Sequence, residues 1–360
     1  MKVSILTKAS RGYGYGHLRR SNILSDFLRS DGISSQVIDI TSGCPEEVNS
    51  DVLVVDAREL KSDELKRLLR LGKPIISFDD TETFKPYSVS IMSLPYLNLS
   101  GPSPNYEGMN FLILDPSILE VKPLEVKPLE VRPLEVKPHE VKPHEFDILI
   151  TFGGEDPNSL TEIVLSKFAE VGEFRDFRIC VVIGSLFREK EFLKEKAREL
   201  GVFVIEPERP MDVIEAISKS RLVLTSFGIT VYESLVLGKR VILLNNSEYH
   251  ELIFRKSVLD GLVRSLGVYN EFDVYKFLNL VREVLGSGGE AKALEINPIE
   301  NLMRIEKIIF RVCESWSYEE YSCFSNHDVI CTYRDGFCSK FFCRDCGREI
   351  IFDFDVPRNT

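Results

Sequence analysis

A proline stands at every fifth position between residues 123 and 143, and this spacing constrains the fold of the 360-residue chain more than any other feature. The repeat begins with Leu119-Glu120-Val121-Lys122-Pro123, continues through four variants and ends in a truncated sixth copy, His144-Glu145-Phe146. Proline removes a backbone donor and clashes with the preceding helical turn, so the repeat forbids a helix and weakens any strand. We therefore expect an extended, solvated linker at 119–145, and the alternative role is a docking arm for a protein partner.

Short apolar runs alternate with amphipathic helical patterns on both sides of this linker. The runs expected to form strands are Val3–Leu6, Ser35–Ile40, Val52–Val55, Pro74–Phe78 and Phe111–Leu114 before it, and Phe146–Ile150, Phe177–Ile183, Val202–Ile205, Leu222–Thr225 and Val241–Leu244 after it. Such alternation is typical of parallel sheets covered by helices on both faces. The sequence predicts two doubly wound α/β domains, at 1–118 and 146–315, whose carboxyl sheet edges face a shared ligand cleft.

The composition is that of a globular protein with a net charge of −11, which argues against general binding to nucleic acids or anionic membranes. The first six residues have only strand length and glycines and charges follow at once, so we expect no signal peptide. No apolar run approaches membrane-spanning length. A cytoplasmic location is therefore expected.

A glycine-rich loop follows the first expected strand and contains Gly14, Gly16 and His17 before it continues to Arg20. We expect Gly14, Gly16 and Arg20 to bind the substrate. Such a turn brings backbone amides close to a ligand, and the start of the following helix favours anionic groups. The positive end of a helix also disfavours an imidazolium, so we expect a neutral His17 that can accept a proton. The alternative is an ordinary glycine turn, because the spacing differs from the dinucleotide-binding pattern.

Two further loops follow strands of the second half. Gly153 and Gly154 lie in the first loop, and the second contains Ser226, Gly228, Ile229 and Thr230, with Glu233 one turn further along a helix. Free amides and hydroxyls at a helix start can cradle a diphosphate, and a carboxylate one turn later can bind both hydroxyls of a ribose. The alternative for Glu233 is a solvent-facing acid on a surface helix.

The motifs, and their order along the chain, resemble those of the GT-B superfamily. Within this superfamily they resemble the UDP-sugar hydrolases of pseudaminic acid biosynthesis. The lipid II-forming N-acetylglucosaminyltransferases are next nearest. The resemblance covers roughly residues 1–285, interrupted by the repeat. The matching stretches are Gly14 to Arg20, Val55-Asp56, Ser77 to Asp80, Gly108 to Leu114, Thr151 to Pro157, Arg209 to Met211 and Gly228 to Glu233.

This resemblance implies roles for individual residues. His17 corresponds to the catalytic histidine, the segment 228–230 to the diphosphate loop and Glu233 to the ribose-binding acid. Asp79 and Asp80 correspond to an acidic pair near the sugar pocket, and we expect both to be catalytic together with His17. The hydrolases usually carry an aromatic residue where this chain has Arg58, and that departure leaves the sugar and the hydrolytic step open.

The last 45 residues, 316–360, contain five of the eight cysteines and are expected to form a small zinc ribbon-like tail. Asp335-Gly336 is a strong signal for a hairpin turn. Residues at similar distances on either side of this turn would lie opposite each other, which brings four ligands for a structural Zn²⁺ together. The expected ligands are Cys323, His327, Cys343 and Cys346. Cys331 and Cys338 are second choices that we expect in the core, and buried free thiols are the alternative to a zinc site. Partner docking, nucleic-acid contact and a purely structural role all stay open for this tail.

The sequence favours hydrolysis of the sugar–nucleotide bond of a UDP-sugar as the function, with His17 activating water. Amides and a helix dipole would stabilise the diphosphate leaving group, so no catalytic metal is expected. The first alternative is transfer of the sugar to an acceptor in surface-glycan assembly. The second is a non-catalytic scaffold that binds nucleotide sugars. The sequence leaves the sugar and the oligomeric state open.

Overall fold

The computed structural model describes residues 1–8, 15–57, 60–121, 144–259, 261–286, 293–315, 329–335 and 338–353. The chain divides into two compact units, one formed by Met1–Ile113 with Ile296–Thr360 and the other by Leu114–Glu295. No helix in these described ranges is long and apolar enough to span a lipid bilayer. The repeat from 122 to 143 lies outside the described residues, and a short helix, Ile118–Val121, leads up to it.

The first unit contains a parallel six-stranded sheet of order β2-β1-β3-β4-β5-β6. Its strands are Lys2–Thr7 (β1), Ser34–Asp39 (β2), Val52–Asp56 (β3), Ile75–Phe78 (β4), Val89–Met92 (β5) and Tyr106–Glu107 (β6). The helices are Tyr15–Ser30 (α1) and Ser62–Arg70 (α2), and Pro298–Ser315 (α10) returns to this unit from the far end of the chain. The apolar runs of β3, β4 and β5 are buried along their whole length, as expected for central strands covered on both faces.

The second unit contains another parallel six-stranded sheet, of order β12-β11-β10-β7-β8-β9. Its strands are Phe146–Ile150 (β7), Ile179–Val182 (β8), Phe203–Ile205 (β9), Ser220–Thr225 (β10), Arg240–Asn245 (β11) and Arg264–Val268 (β12). Its helices are Ile118–Val121 (α3), Leu160–Glu170 (α4), Lys190–Leu200 (α5), Pro210–Ser218 (α6), Ile229–Val236 (α7), Glu248–Lys256 (α8) and Val274–Gly286 (α9). The expectation of two doubly wound parallel sheets is therefore confirmed.

One expected strand is wrong. Phe111–Leu114 does not join the first sheet: a short 3₁₀ turn, Met109–Phe111, leads into irregular chain there. The side chain of Asn301 on α10 donates to the carbonyl oxygens of Met109 (2.8 Å) and Leu112 (3.0 Å). These carbonyl groups are thus satisfied by a helix side chain, and the apolar residues are buried without forming a strand.

The C-terminal residues form a three-stranded antiparallel sheet of order β13-β14-β15, which we call the C-terminal sheet. Its strands are Val329–Arg334 (β13), Cys338–Cys343 (β14) and Glu349–Asp353 (β15). The expected hairpin corresponds to β13 and β14, and β15 is an additional strand. This sheet shares the apolar core of the first unit through Phe341 and Phe352. The apolar core of this sheet is therefore part of the core of the first unit, whereas the sequence predicted a separate zinc ribbon-like tail.

The expected zinc ribbon is not seen as such. Cys323 and His327 lie outside the described residues, while Cys343 is buried at the end of β14 and Cys346 is exposed in the following turn. The backbone N–H of Cys346 donates to Sγ of Cys343 at 3.4 Å. The described part of the chain holds no group of three or more His, Cys, Asp or Glu side chains that could bind a metal ion. The four-ligand zinc site stays a prediction. Cys331 lies in the core as expected, and Cys338 is half-buried.

Candidate active site

His17 lies on the first turn of α1 and contacts an aspartate that ends a neighbouring strand. Its Nδ1 is 2.6 Å from Oδ1 of Asp56, the last residue of β3. The parallel register of β1 and β3 pairs Thr7 with Asp56, so this carboxylate lies at the edge of the sheet from which the chain leads to α1. The side chain of His17 is 12% exposed, and Asp56 is only 2% exposed. The structure thus places a buried carboxylate behind a partly accessible imidazole.

The contact fixes which ring nitrogen of His17 can act as a base. An ionised carboxylate only accepts hydrogen bonds, so Nδ1 donates to Asp56 in this arrangement. The other nitrogen, Nε2, is then the one that can accept a proton. Burial by itself would raise the pKa of Asp56, but the charge of Arg20 and the hydrogen bonds from Arg20 and His17 outweigh it and hold this pKa below its ordinary value. The carboxylate is therefore ionised at neutral pH.

Arg20, one turn after His17, connects Asp56 to a second carboxylate. Its Nε and one terminal nitrogen donate to the two oxygens of Asp56, and its other terminal nitrogen donates to Asp79. Burial lowers the pKa of Arg20, and the two carboxylates more than compensate, so that the net pKa lies above the ordinary value. This cluster of His17, Arg20, Asp56 and Asp79, which we call the buried charge cluster, contains two carboxylates and one permanent cation.

Asp79 follows β4 in a left-handed backbone conformation, with φ of 53°. Its Oδ1 accepts from the backbone N–H groups of Ser93 (2.7 Å) and Leu94 (3.0 Å), and its Oδ2 accepts from the Ser93 hydroxyl (2.9 Å). With Arg20 added, the lone pairs of this carboxylate are occupied by neighbours in the same unit. The geometry gives Asp79 the role of holding Arg20.

Asp80 is turned toward a different set of partners. Its Oδ2 accepts from Nζ of Lys85 (3.0 Å) and the hydroxyl of Tyr87 (2.5 Å), and its Oδ1 accepts from the backbone N–H of Glu82 (2.9 Å). Burial and the adjacent Asp80 carboxylate raise the pKa of Tyr87 well above its ordinary value. The catalytic roles expected for Asp79 and Asp80 stay predictions, and their contacts in the structure are those of scaffold residues.

The glycines of the first loop are only partly described. Gly14 lies outside the described residues, as does Arg58, whereas Gly16 is exposed on the first turn of α1. A Cβ atom added at Gly16 would meet no described atom within 4 Å.

At the second sheet, the predicted diphosphate loop connects β10 to α7. The Ser226 hydroxyl donates to the carbonyl oxygen of Leu244 (2.8 Å) and accepts from Nδ2 of Asn246 (3.0 Å). The backbone N–H of Phe227 donates to Oδ1 of Asn245 (2.9 Å). Two asparagines at the end of β11 thus hold this loop, and Ser226 uses its proton internally. Neither asparagine was expected at the site from the sequence, although both follow the apolar run of that strand.

The predicted diphosphate-binding residues lie at the start of α7, and their role in binding stays a prediction. Gly228 precedes the helix in an extended conformation, and Ile229 and Thr230 form its first turn, where backbone N–H groups have no partner within a helix. Glu233 follows one turn later and is 1% exposed. A solvent-facing acid was the alternative for Glu233, and its burial disagrees with that alternative.

The loop with Gly153 and Gly154 is pressed against the end of the next strand. A Cβ atom at Gly184 would lie 2.5 Å from the carbonyl oxygen of Gly154, so the two backbones touch. Asp156 accepts from the backbone N–H groups of Leu160 and Thr161, both at 2.8 Å, and so caps α4. Burial raises the pKa of this capping carboxyl group. The loop conformation is thus set by close glycine packing on one side and a helix cap on the other.

Asp56 is the residue of the candidate site whose contact with His17 was not expected from the sequence. It appeared only within a matching stretch, and its pairing with His17 depends on the strand order. A signal was present, because an aspartate directly after a four-residue apolar run ends a buried parallel strand at the ligand edge.

Comparisons with solved structures define the class of fold. The chain matches UDP-GlcNAc 2-epimerase from Neisseria meningitidis bound to UDP-GlcNAc with a TM-score of 0.50, at 11% identity, over 86% of this chain and 100% of that one. It matches the glycosyltransferase of kitacinnamycin with a TM-score of 0.50, at 13% identity, over 87% and 99%. It matches the spinosyn rhamnosyltransferase SpnG complexed with thymidine diphosphate with a TM-score of 0.50, at 11% identity, over 86% and 96%. The chain has the two-sheet α/β fold of the GT-B superfamily.

Sequence comparison adds one relative. The uncharacterized protein MJ1062 of Methanocaldococcus jannaschii is 26% identical over 285 residues, which cover 69% of this chain and 56% of that protein. This chain thus spans about half the length of the curated relative it matches. No protein-family profile matches the chain. The likenesses establish the fold, which epimerases and glycosyltransferases share.

Proposed function

We propose that this protein is a glycosyltransferase of GT-B type, which moves a sugar from a nucleoside diphosphate sugar to an acceptor hydroxyl group. The observation that carries the proposal is the contact between His17 and Asp56 at the edge of the first sheet. A histidine whose Nδ1 is held by an ionised carboxylate, and whose Nε2 makes no hydrogen bond with the described residues, is the arrangement that a general base requires.

In the proposed reaction, Nε2 of His17 takes the proton of the acceptor hydroxyl as its oxygen bonds to the anomeric carbon of the sugar. The bond between that carbon and the diphosphate oxygen breaks, and the nucleoside diphosphate leaves with the bonding electrons. The buried charge cluster has two carboxylates and one guanidinium, and so carries a net negative charge while His17 is neutral. This charge compensates the positive charge that forms on the imidazole during proton transfer.

The second unit supplies the proposed binding site for the nucleotide. The first-turn amides of α7 would hold the diphosphate, and Glu233 would bind the ribose hydroxyls. The neighbouring folds whose ligands are named hold UDP-GlcNAc and thymidine diphosphate, which supports a pyrimidine nucleotide, and UDP is our first choice. Gly153 and Gly154 are proposed to line the same edge of this sheet. Amides and a helix dipole can stabilise the leaving diphosphate by themselves, so the proposal includes no catalytic metal.

Hydrolysis was the favoured reaction from the sequence alone, with water as the acceptor. The chemistry at His17 would be the same, because water would lose its proton to Nε2 in place of a sugar hydroxyl. The structural neighbours reported above are transferases and an epimerase, and they lend hydrolysis no support. We therefore rank transfer first and keep hydrolysis as an outcome of the test.

The test is incubation of the purified protein with a panel of UDP-sugars and thymidine diphosphate sugars, with and without a mixture of acceptor sugars. Chromatography of released nucleotide and mass spectrometry of the sugar products give the readout. Nucleotide release that requires acceptor supports transfer, whereas equal release in water alone supports hydrolysis. Epimerised donor with no release, or binding without any turnover, would overturn the proposal.

The variants His17→Gln and Asp56→Asn connect any turnover to the proposed base. We expect each to lower kcat by about 100-fold or more, because general base catalysis contributes on the order of 10²–10⁴. Asp26→Asn is the matched control, since Asp26 lies on the same helix and pairs only with exposed Arg29 in the described contacts. Full activity of H17Q would remove His17 as the base.

A further inference from the structure

One buried arginine of the C-terminal sheet bonds to a single segment of the rest of the first unit. The side chain of Arg334 is 3% exposed and donates to three carbonyl oxygens of a single segment, those of Thr83, Lys85 (2.9 Å) and Tyr87 (2.7 Å). Its guanidinium also lies 5.8 Å from the ring centroid of Phe341. A guanidinium that serves three carbonyls of one short segment fixes the path of that segment more tightly than one hydrogen bond would.

The segment held by Arg334 carries the partners of Asp80. Lys85 and Tyr87 both bond to Oδ2 of Asp80, and Nζ of Lys85 also donates to the carbonyl oxygen of Leu60 at 3.0 Å. These side chains are buried, so each polar group depends on its partner being in place. The position of Asp80 is thus coupled to the carbonyls that Arg334 holds.

Asp80 is bonded covalently to Asp79, and Asp79 holds Arg20. The left-handed backbone of Asp79, with φ of 53°, is unfavourable for a residue with a side chain and persists only where its surroundings fix it. A change in the segment that follows Asp79 would therefore be felt by its carboxylate. Arg20 connects that carboxylate to Asp56, and Asp56 bonds to His17. A continuous series of contacts runs from Arg334 to the imidazole.

We propose that Arg334 is a positioning residue for the His17–Asp56 pair, and that the C-terminal sheet is part of the scaffold of the candidate active site. The catalytic side of this inference rests on the proposed function, whereas the coupling between Arg334 and the imidazole does not. Arg334 acts through the segment 83–87, Asp80, Asp79 and Arg20, and it touches neither His17 nor Asp56 in the contacts described.

Other contacts keep the C-terminal sheet in place when Arg334 is changed. The hydroxyl of Ser339 donates to the carbonyl oxygen of Ser88 (2.9 Å), and Nδ2 of Asn105 donates to the carbonyl oxygen of Asp335 (2.7 Å). The backbone N–H of Cys331 donates to the carbonyl oxygen of Phe84 (2.8 Å). Phe341 and Phe352 add apolar contact with the first unit. Replacing Arg334 therefore tests its hydrogen bonds while these attachments remain.

The experiment compares the ring ¹⁵N signals of His17 in the full-length parent and in Arg334→Met, with H17Q used to assign them. We expect the His17 signals to shift or broaden in R334M, because the hydrogen bond from Nδ1 to Asp56 is disturbed, while the signals of His250 in the second unit stay in place. Where turnover is measured, kcat should fall by about 2- to 30-fold with KM nearly unchanged, the range expected for coupling through a packed network. Arg334→Lys, which keeps the charge, should restore part of the loss.

Two further variants separate positioning from general loosening. Ser339→Ala removes a different attachment of the same sheet and should leave the His17 signals unchanged. Lys85→Met breaks the link to Asp80 without touching the C-terminal sheet and should disturb His17 as R334M does, which covers the case in which R334M does not fold. His17 signals in R334M and K85M that superimpose on those of the parent would overturn the inference, even if no nucleotide sugar is ever turned over. Equal shifts in S339A and R334M would overturn it as well.

Discussion

Arg20 shows how a single residue can organise a buried site. Its guanidinium is shared by Asp56 and Asp79, and both carboxylates are almost fully buried. Two carboxylates in a low-dielectric interior need a cation nearby, since an unpaired buried charge costs several kcal/mol. The contact between His17 and Asp56 therefore depends on Arg20, whose guanidinium bonds to both carboxylates, while its expected role in substrate binding stays a prediction.

Arg20→Leu should destabilise the first unit strongly, because it leaves two buried carboxylates without their cation. We expect the free energy of unfolding to fall by about 3–5 kcal/mol, as is typical when one partner of a buried ion pair is removed. Urea unfolding followed by circular dichroism measures the change. Arg29→Met on the same helix is the control, since Arg29 is exposed and its pair with Asp26 contributes less than about 1 kcal/mol. Similar unfolding curves for R20L and R29M would contradict this account of the cluster.

The sequence predicted part of this site. It placed His17 on the first turn of a helix after the first strand, and the structure agrees. It did not pair His17 with Asp56, because that contact requires β3 to lie directly beside β1, and strand order is a property of the whole sheet. Asp79 and Asp80 were expected as one acidic pair. Their side chains diverge because the left-handed backbone at Asp79 turns the two carboxylates toward different partners.

At the scale of elements, the strands with long apolar runs were predicted from the sequence. Strands of the structure with weaker apolar patterns were not predicted. β5, β6, β12 and β15 were not expected from the sequence, and neither were the helices α3, α8 and α10. β12 contains Arg264, Ser265 and Gly267 and pairs at the edge of its sheet, so its pattern is not continuously apolar. Phe111–Leu114 shows the opposite error, since an apolar run can be buried by a helix without becoming a strand. The hydrophobic periodicity of a sequence indicates which residues are buried. Whether the buried segment forms a strand is decided by its backbone hydrogen bonds.

Gly184→Ala tests the close approach of two loops at the edge of the second sheet. The added Cβ would lie 2.5–2.7 Å from backbone atoms of Gly154, and backbone cannot move aside as a flexible side chain can. We expect a loss of about 1–3 kcal/mol in unfolding free energy, in the range seen for overpacked sites. Thermal unfolding measures the loss.

The control for this prediction is Gly172→Ala, in the same unit. Gly172 has φ of −81°, and a Cβ atom there would meet nothing within 4 Å. Alanine at such a position is neutral or stabilises by about 0.4–1 kcal/mol, because it restricts the unfolded chain. If both glycine variants unfold at the same temperature as the parent, the contact between the 153–154 loop and Gly184 is looser than described.

At the scale of the whole molecule, the units do not follow the order of the sequence. Sequence analysis assigned residues up to 315 to the second domain, whereas α10 belongs to the first unit and buries Leu302, Ile305 and Ile309 in its core. The predicted tail is also built into this unit. Composition changes near 316 suggested a boundary there, but the partner of an amphipathic helix cannot be determined from its own pattern.

The stability that α10 contributes to the first unit depends on pH. Burial, together with a hydrogen bond and the charge of Asp31, raises the pKa of Glu306 from 4.5 to about 7. An unfolded chain loses this proton near pH 4.5, and the folded protein keeps it until about pH 7. The folded state therefore binds more protons between these values, and its stability falls as the pH rises from 4.5 to 7 and stays lower above that range.

Glu306→Gln should remove this loss, because an amide cannot ionise beside Asp31. At pH 8 we expect E306Q to exceed the parent in unfolding free energy by about 1–3 kcal/mol, whereas at pH 4.5 the two should agree closely. Thermal unfolding at half-unit pH steps gives the comparison. Glu314→Gln, on the exposed side of the same helix, should follow the parent at every pH. An E306Q protein that keeps the parent's pH dependence would show that the carboxyl pair does not control it.

The discontinuity of the first unit also affects how the protein is made. A ribosome that adds about 5–20 residues per second needs on the order of 10–40 s to synthesise the 182 residues from Leu114 to Glu295. During that time β1 to β6 have left the ribosome, while α10 and the C-terminal sheet do not yet exist. The second unit has its whole sequence first and can fold during translation. The unit that begins the chain is completed last, and until then its apolar surface needs protection from aggregation, for example by chaperones.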